Sequence, residues 1–252
     1  MLSYNELENI ARLKRMSLIN AEKDYLQNLI LFSIYSNIGN ELVFKGGTCL
    51  YKIYKLDRFS EDLDFTLSGR LDAKKIAEKI IADLSLLNIK AKLKEIKEYS
   101  NEINIRFLFS GPLYKGNKES QCFIPLNISK REAVLLNPNK ESIIPLYKEI
   151  PTFEVFAMQE KEIVAEKVRA IFTRTKPRDI YDLCFLLNKN TEFDMGLINK
   201  KLSLCNKKFD KTEFINQIEK MKNLFNIDLK NLIIKDIDFD KIKNEIIAKI
   251  RV

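Results

Sequence analysis

Strand-like and helical patterns occupy different parts of this sequence, and their separation limits the fold more than any other feature. Runs of alternating or β-branched residues occur only within residues 42–158, whereas apolar residues recur at helical spacing throughout residues 159–252. Helical spacing also precedes the first strand, over residues 5–38. This order predicts an α+β fold, with a mixed β-sheet flanked by helices and a helical C-terminal part. We therefore expect two domains, residues 1–158 and 159–252.

The individual elements are predicted from these patterns and from the turn residues between them. The expected strands are 42–45, 63–67, 91–96, 103–109, 122–129 and 154–158. The expected helices are 5–38 (with Asn20 as a weak start signal for its second part), a short one after Gly47, 72–89, 160–174, 178–188, 194–204, 211–224 and 238–250. Three prolines, at 138, 145 and 151, predict an irregular stretch before the last strand.

The residue types that are missing exclude several chemistries. The chain has 252 residues and no histidine, and its four cysteines show no C-x-x-C spacing. Common zinc sites, Ser-His-Asp triads and Cys-His dyads are therefore excluded. Each cysteine lies among apolar neighbours, which favours reduced thiols in a cytoplasmic protein. Any catalysis must use carboxylates, lysine, arginine, hydroxyl groups or bound metal.

The formal net charge of +8 permits an anionic partner such as RNA or nucleotide phosphate. The alternative is a composition rich in Lys, Asn and Ile throughout, with lysines scattered over solvated faces. The sequence does not decide between the two, and it does not indicate an oligomeric state. The longest apolar stretch near the N-terminus, residues 29–35, is too short to cross a bilayer, so no membrane partner is expected.

A glycine turn, Gly46-Gly47-Thr48, follows the first predicted strand. Glycines between a strand and a helix allow the backbone to approach a ligand closely. The start of the next helix presents free N–H groups and the positive end of its dipole, which suit a phosphate, and Thr48 adds a hydroxyl. Taken alone, such a sequence is more often an ordinary tight turn.

Two carboxylates, Asp62 and Asp64, leave the same face of the second predicted strand, with their Cα atoms about 6.5–7 Å apart. Carboxylates this close repel unless a cation lies between them. Mg²⁺ is usually shared by one or two carboxylates and substrate phosphates. Two such ions, roughly 3.5–4 Å apart, would hold the attacking and leaving oxygens of a phosphoryl displacement. With the glycine turn upstream, the pair predicts a metal site, and Leu63 and Phe65 are expected in the core.

The alternative for this pair is a solvated acidic strand edge. A second alternating set, Asp236, Asp238 and Asp240, has no glycine turn upstream and directly precedes a helical pattern. In that set Asp238 or Asp240 is better interpreted as a helix cap than as a metal ligand.

A lysine interrupts the apolar stripe of the helix predicted over residues 160–174. Lys167 lies four residues from both Ile163 and Ile171, and a lysine among apolar residues is costly unless it meets an anion. A triphosphate would be suitable, because the ammonium would balance charge on the leaving phosphates. The alternative is a lysine that extends past the edge of the helix.

Charged residues around the next helix have two interpretations each. Asp179 and Asp182 share one face of that helix, and Asp179 is also favoured by the helix dipole without any catalytic role. For Arg58 and Arg178, ion pairs with nearby carboxylates compete with phosphate contacts.

Four strings resemble the motifs of the AbiEii/AbiGii toxin family of nucleotidyltransferases, which includes the MenT-like toxins. They are Lys45-Gly46-Gly47-Thr48-Cys49-Leu50, Arg58-Phe59-Ser60-Glu61-Asp62-Leu63-Asp64-Phe65, Glu166-Lys167-Val168-Arg169-Ala170 with Arg174, and Arg178-Asp179-Ile180-Tyr181-Asp182-Leu183. The resemblance covers roughly residues 30–190, and the last 60 residues match only in helical character. It implies a DNA-polymerase-β-like nucleotidyltransferase fold, a toxin of a toxin–antitoxin system, and a cognate antitoxin encoded alongside.

The resemblance also implies roles for individual residues. Asp62 and Asp64 would hold Mg²⁺, with Mn²⁺ as a substitute. The nucleoside triphosphate would be bound by Lys45, Gly46, Gly47, Thr48, Arg58, Ser60 and Lys167. Asp179 or Asp182 would complete the catalytic set that contains Asp62, Asp64 and Lys167. Characterised relatives add nucleotides to the acceptor end of tRNA and block translation, so the expected acceptor is RNA, above all the tRNA 3′ end.

One position departs from the pattern of this fold. A third carboxylate on a later strand often serves as the base for the attacking hydroxyl, and Asn127 stands at that place in strand 122–129. Asparagine can orient a hydroxyl but cannot take its proton. Asp179 or Asp182 supplies that role, or the strand is misaligned, or activity is altered. Two other functions stay open: transfer to a protein or small-molecule hydroxyl, and a degenerate nucleotidyltransferase that only binds RNA or a protein.

Overall fold

The computed structural model describes residues 1–230, 232–233 and 237–250, and it confirms the α+β class predicted from the sequence. The chain forms two compact units. Unit 1 consists of Met1–Ile53, Glu61–Val134 and Pro138–Ala157, and unit 2 of Tyr54–Ser60, Leu135–Asn137 and Met158–Val252. The predicted domain boundary after residue 158 remains a prediction.

Unit 1 contains a seven-stranded mixed sheet. Its strands are β1 (Leu42–Lys45), β2 (Leu63–Leu67), β3 (Lys90–Glu98), β4 (Glu102–Ser110), β5 (Cys122–Ser129), β6 (Asn139–Ile143) and β7 (Phe153–Ala157). Their order across the sheet is β3-β4-β5-β2-β1-β7-β6. Strand β2 runs parallel to β5 and antiparallel to β1, β1 runs parallel to β7, and the remaining neighbours are antiparallel. The sequence analysis missed β6 because Asn139-Lys140-Glu141-Ser142 contains no β-branched or aromatic residue.

The helices of unit 1 are α1 (Tyr4–Leu13), α2 (Leu18–Tyr35), α3 (Gly46–Lys52) and α4 (Ala73–Ser85). The residues predicted as helical over 5–38, with a second helix starting near Asn20, form α1 and α2. Helix α2 begins at Leu18, where the Ser17 side chain accepts a hydrogen bond from the Asn20 N–H. Asn20, the start signal predicted from the sequence, lies inside this first turn, and the cap is Ser17, three residues earlier.

The two faces of the sheet differ in burial, and this difference positions the polar residues of β2. Helix α4 packs on β3 and β4, and α2 packs on β5. The face beneath them consists of fully buried apolar residues such as Ile105, Phe107 and Leu126, each of which contributes about 1.5–3 kcal/mol by burial. Leu63 and Phe65 point to this core as predicted, so Asp64 between them emerges on the other face, half-buried.

Unit 2 is helical. Its helices are α5 (Glu160–Thr173), α6 (Arg178–Asn188), α7 (Met195–Ser203), α8 (Lys211–Glu219), α9 (Lys222–Leu229) and α10 (Phe239–Lys249). The helix predicted over residues 211–224 is divided between α8 and α9. The sequence shows no proline or glycine at this division, and the buried Phe214, Ile218 and Phe225 keep the spacing of a continuous helix across it. The division could therefore not be predicted from the sequence.

Helix α10 begins at the Asp238 side chain, which accepts from the N–H groups of Asp240 and Lys241. The predicted helix cap is thereby confirmed for Asp238, and Asp236 lies outside the described residues. None of the four cysteines, all within the described residues, forms a disulfide bond, as expected; Cys49, Cys122 and Cys184 are buried, and Cys205 is half-buried. No helix in the described part of the chain has both the length and the apolar character needed to span a membrane.

Candidate active site

The turn between β1 and α3 brings the backbone against a carboxylate. Gly46 begins α3 with a φ of +75°, and a β-carbon built on it would lie 2.6 Å from Oδ2 of Asp64. Glycine adopts a positive φ without the strain that other residues incur, and the contact leaves no room for a β-carbon. The glycine turn therefore permits a close approach, as its sequence suggested, and the group that approaches is the Asp64 side chain.

Asp64 is held on its other side by Asn127. Strands β2 and β5 place the two residues opposite each other, and the Asn127 amide nitrogen donates to Oδ1 of Asp64 at 2.9 Å. The Asn127 Oδ1 accepts from Nη1 of Arg106 at 2.9 Å. Arginine can only donate, so it fixes which end of the amide faces the carboxylate. Asn127 thus lies beside Asp64 on the neighbouring strand.

The backbone ahead of β2 is fixed by Thr48. This residue is fully buried, and its hydroxyl donates to the main-chain oxygen of Asp62. Asp62 itself is half-buried, and the Gln27 amide donates to the preceding main-chain oxygen, that of Glu61, at 2.9 Å. Thr48 therefore positions Asp62 through its backbone, in addition to lying in the turn that the sequence assigned to phosphate.

Lys45 and Glu132 form a buried ion pair beside this turn. Lys45 is opposite Asp64 in the β1–β2 register, and its Nζ lies 2.7 Å from Oε1 of Glu132. The exposed fractions of the two side chains are 9% and 2%. Sequence reasoning missed both Glu132 and Arg106, because a single glutamate after a strand and an arginine within one carry no local signal. Only the fold brings them to Lys45 and Asn127.

The residues at this place fit a divalent metal. The carboxylate oxygens of Asp62 and Asp64 are the hard donors that Mg²⁺ and Mn²⁺ take. Because Gly46 has no β-carbon, the Asp64 Oδ2 lies close to the Gly46 backbone without a clash. Within the described ranges, no group of three or more Cys, Asp or Glu side chains is arranged to hold a metal. An ion held by these two aspartates would complete its coordination with phosphate oxygens and water.

A separate cluster of five charged groups lies in unit 2. Arg58 forms a bidentate pair with Asp182, with both N–O distances 2.6 Å. The Nζ of Lys167 lies 2.8 Å from Asp179 and 2.6 Å from Asp182. Arg174 completes the cluster by a bidentate pair with Asp179, at 2.7 and 2.9 Å. Three cations therefore surround two carboxylates, and a third carboxylate, Asp228, also acts electrostatically on Arg58.

Burial and charge act in opposite directions on these carboxylates. Burial alone would raise the pKa of Asp182, but Arg58 and Lys167 outweigh it and hold that pKa below its usual value. The pKa of Asp179 is lowered in the same way, against its burial, by Lys167 and Arg174. Burial would lower the pKa of Lys167, and the two aspartates raise it. The two aspartates and Lys167 are therefore charged near neutral pH, and the two aspartates are weak proton acceptors.

The sequence-derived site residues thus fall into two groups, each within one unit. In unit 1 the structure brings Lys45, Gly46, Gly47, Thr48, Asp62 and Asp64 together around the start of β2. In unit 2 it brings together Arg58, Lys167, Asp179 and Asp182. Ser60 is half-buried two residues after Arg58. Arg178 donates its backbone N–H to Asp228 at 3.0 Å.

Asp62 directly precedes β2, and Asp64 lies on that strand against the glycine turn. These are the motifs by which the sequence resembles nucleotidyltransferases. The family model described as "Nucleotidyl transferase AbiEii toxin, Type IV TA system" matches residues 29–249. The chain therefore belongs to the AbiEii family of nucleotidyltransferase toxins. The match includes the helices after residue 190, where the resemblance of individual motifs ends.

Solved structures share the fold. JHP933 from Helicobacter pylori is 23% identical, with a TM-score of 0.62 and coverage of 93% of this chain and 91% of that one. MenT4, a nucleotidyltransferase toxin from Mycobacterium tuberculosis H37Rv, is 16% identical, with a TM-score of 0.67 and coverage of 96% and 87%. No match is found among curated proteins. At these identities the structures establish the fold alone.

Proposed function

We propose that this toxin transfers a nucleotide from a nucleoside triphosphate to RNA, above all to the tRNA 3′ end, and thereby blocks translation. The observation that carries the proposal is the Asp64 carboxylate, held between Gly46 and Asn127 beside Asp62. Family membership supplies the reaction class and a toxin–antitoxin context. We expect a cognate antitoxin to be encoded alongside.

Asp62 and Asp64 would hold Mg²⁺, or Mn²⁺ in its place. A bound metal of this kind neutralises charge on the triphosphate oxygens. Asn127 fixes the Asp64 carboxylate through Oδ1, and Thr48 fixes the backbone of Asp62. The Asp64 carboxylate and the Asp62 backbone are therefore held independently of the substrate, and such preorganisation favours catalysis.

The reaction joins the acceptor to the nucleotide in one displacement. The oxygen of the acceptor hydroxyl forms a bond to the α-phosphorus, the bond from that phosphorus to the bridging oxygen breaks, and pyrophosphate leaves. We propose that the hydroxyl proton is released to solvent. Asn127 has no basic oxygen, and Asp179 and Asp182 are held by cations that lower their pKa values.

For unit 2 we propose that Asp179 and Asp182 orient Lys167 and Arg58 and do not take a proton. Their distances of 2.6–2.8 Å to Lys167 keep its ammonium charged and fixed. A fixed, charged ammonium is in line with the nucleotide contact that family resemblance implies for Lys167.

The test is a transfer assay with each of the four α-³²P-labelled nucleoside triphosphates. Separate reactions contain total tRNA, a protein extract or a set of small alcohols and aminoglycosides, each with MgCl₂ or with EDTA. We expect label on tRNA only, in the presence of Mg²⁺, and no label with Asp62→Asn. Glu98→Gln, which removes an exposed carboxylate elsewhere on the sheet, serves as the matched control and should retain transfer.

Two other results would replace this function. Label in protein or on a small alcohol would assign another acceptor to the same site. Absence of label in every reaction, with tRNA still bound, would support the degenerate module that Asn127 had kept open. A parallel growth assay should show toxicity for the unchanged chain and normal growth with Asp62→Asn.

A further inference from the structure

One face of strands β3, β4 and β5 is open to solvent. The residues of β4 and β5 that point away from α4 and α2 are all half-buried or exposed, whereas the alternate residues are buried. We call this surface the open face and define it by Lys90, Lys92, Lys94, Lys97, Arg106 and Phe123. These strands pair antiparallel, and antiparallel sheets commonly leave one face solvated, so the side chains that this face carries decide what it can bind.

The open face is basic and carries an aromatic ring. Its five cations face two carboxylates, Glu95 and Glu102, and Glu95 is paired with Lys97 at 2.9 Å. A register shift between Leu93 and Glu95 places Lys94 on the same side, where its Nζ lies 5.4 Å from the centre of the Phe123 ring. Phe123 is 40% exposed. A positive groove with an exposed ring is the combination that binds single-stranded nucleic acid.

The open face is continuous with Asp64. The strand register runs from Asp64 to Asn127, from Asn127 to Asn104, and from Asn104 to Lys97. With neighbouring strands about 4.8 Å apart, this row spans roughly 14 Å. Arg106 connects the two regions directly, because it belongs to the open face and donates to Asn127.

We propose that the open face binds the single-stranded end of the acceptor RNA and directs its terminal hydroxyl toward Asp64. The inference rests on the proposed function and assigns it an RNA surface. Phosphates would lie along the β3 lysines, and a base would stack on Phe123. Nucleotide transfer to RNA needs an RNA-binding surface close to the reacting group, and the open face would supply such a surface next to Asp64.

Neither protection of the sheet edge nor a protein partner accounts for the whole of this surface. Lysines on an edge strand such as β3 discourage pairing with another chain, but that purpose requires neither Arg106 on β4 nor an exposed phenylalanine on β5. A protein partner is disfavoured because the centres of protein interfaces are poor in lysine. RNA uses the lysines, the arginine and the ring together.

The test measures binding of a short, fluorescently labelled single-stranded RNA by anisotropy over a range of salt concentrations. The variant Lys92→Gln/Lys94→Gln should bind more weakly, and the slope of log Kobs against log salt should become shallower by about 1.4, or roughly 0.7 for each lost phosphate contact. Phe123→Ala should weaken binding roughly tenfold, through the loss of one stacked base. The control Lys74→Gln/Lys75→Gln makes the same charge change at exposed positions of α4 and should bind as the unchanged protein does.

The transfer assay separates this inference from the proposed function. A raised KM for RNA with an unchanged kcat in Lys92→Gln/Lys94→Gln would support the open face. RNA affinity and KM equal to those of the control variant would overturn it and leave the proposed function intact. If the unchanged protein transfers nothing to RNA, yet its RNA binding depends on these lysines, the surface stands and the proposed acceptor is wrong.

Discussion

Asp64 in unit 1 and Asp182 in unit 2 are both aspartates of family motifs, but their surroundings differ completely. Asp64 is half-buried, accepts from a neutral amide at 2.9 Å and lies against a glycine backbone. Asp182 is fully buried and meets two cations through three contacts of 2.6 Å. A carboxylate that must bind a metal has to keep its charge available, whereas a carboxylate already matched by cations stabilises the groups around it.

The surroundings of an aspartate do not depend on which unit it belongs to. Asp24 of unit 1 is fully buried, and it contacts Lys52 and the Tyr147 hydroxyl at 2.7 Å each and also Lys14. Burial would raise the pKa of Asp24, yet the two lysines lower it to about 2. Asp24 therefore resembles Asp182. The two kinds of carboxylate are therefore those paired with buried cations, such as Asp24 and Asp182, and those held by a neutral amide, such as Asp64.

The largest expected effect comes from removing a structural carboxylate. Asp182→Ala leaves Arg58 buried without its bidentate partner and takes one of two anions from Lys167. Breaking a buried pair on one side costs about 3–5 kcal/mol of unfolding free energy, which urea denaturation followed by circular dichroism would measure. Glu192→Ala breaks the exposed pair with Lys161 and should leave the unfolding midpoint unchanged. Equal midpoints for the two variants would contradict a structural role for Asp182.

A smaller effect on stability and a large effect on activity are expected at Gly46. Gly46→Ala places a β-carbon 2.6 Å from the Asp64 carboxylate and imposes a φ of +75° on alanine. The conformation costs about 1–2 kcal/mol, and Asp64 must move, so nucleotide transfer should be lost while the chain stays folded. Gly116→Ala is matched in backbone strain, at a φ of +90°, with no atom within 4 Å. It should lose similar stability and keep full transfer; loss of transfer in both variants would assign the defect to folding.

The smallest expected effect concerns the amide that orients Asp64. Asn127→Ala removes the hydrogen bond to Oδ1, and we expect transfer to slow about tenfold, or roughly 1.4 kcal/mol. Single-turnover rates at saturating triphosphate would measure it. Asn104→Ala, on the adjacent strand, removes a contact with Arg106 at 3.2 Å and leaves Asp64 untouched. If both asparagine variants react at the same rate, Asn127 has no particular role in orienting the carboxylate.

Local patterns made much of the fold predictable. The alternation of Leu63–Leu67 and Cys122–Ser129 identified β2 and β5 with their observed bounds, because side chains on a strand must alternate between core and solvent. Features without a local signal were missed. The first four residues of β6 include no β-branched or aromatic residue. The apolar residues of α8 and α9 keep helical spacing across the break between the two helices.

Contacts between distant parts of the sequence were the least predictable part of the candidate site. Lys45 and Glu132 are 87 residues apart, and Arg58 and Asp182 are 124 apart, so only the fold shows that they pair. The motifs identified Arg58, Lys167, Asp179 and Asp182 individually. They did not show that the four charges neutralise one another, and this changes what the two aspartates can do chemically.

The most direct test is Mn²⁺ binding, followed by electron paramagnetic resonance, with the α,β-methylene analogue of each nucleoside triphosphate. The unchanged protein should bind Mn²⁺ together with at least one analogue, and Asp64→Asn should lose that binding while its urea midpoint stays within the range of the Glu98→Gln control. Asp182→Asn should lose stability first and retain Mn²⁺ binding wherever it remains folded. Mn²⁺ binding that survives in Asp64→Asn but disappears in folded Asp182→Asn would contradict the assignment of the metal to Asp62 and Asp64.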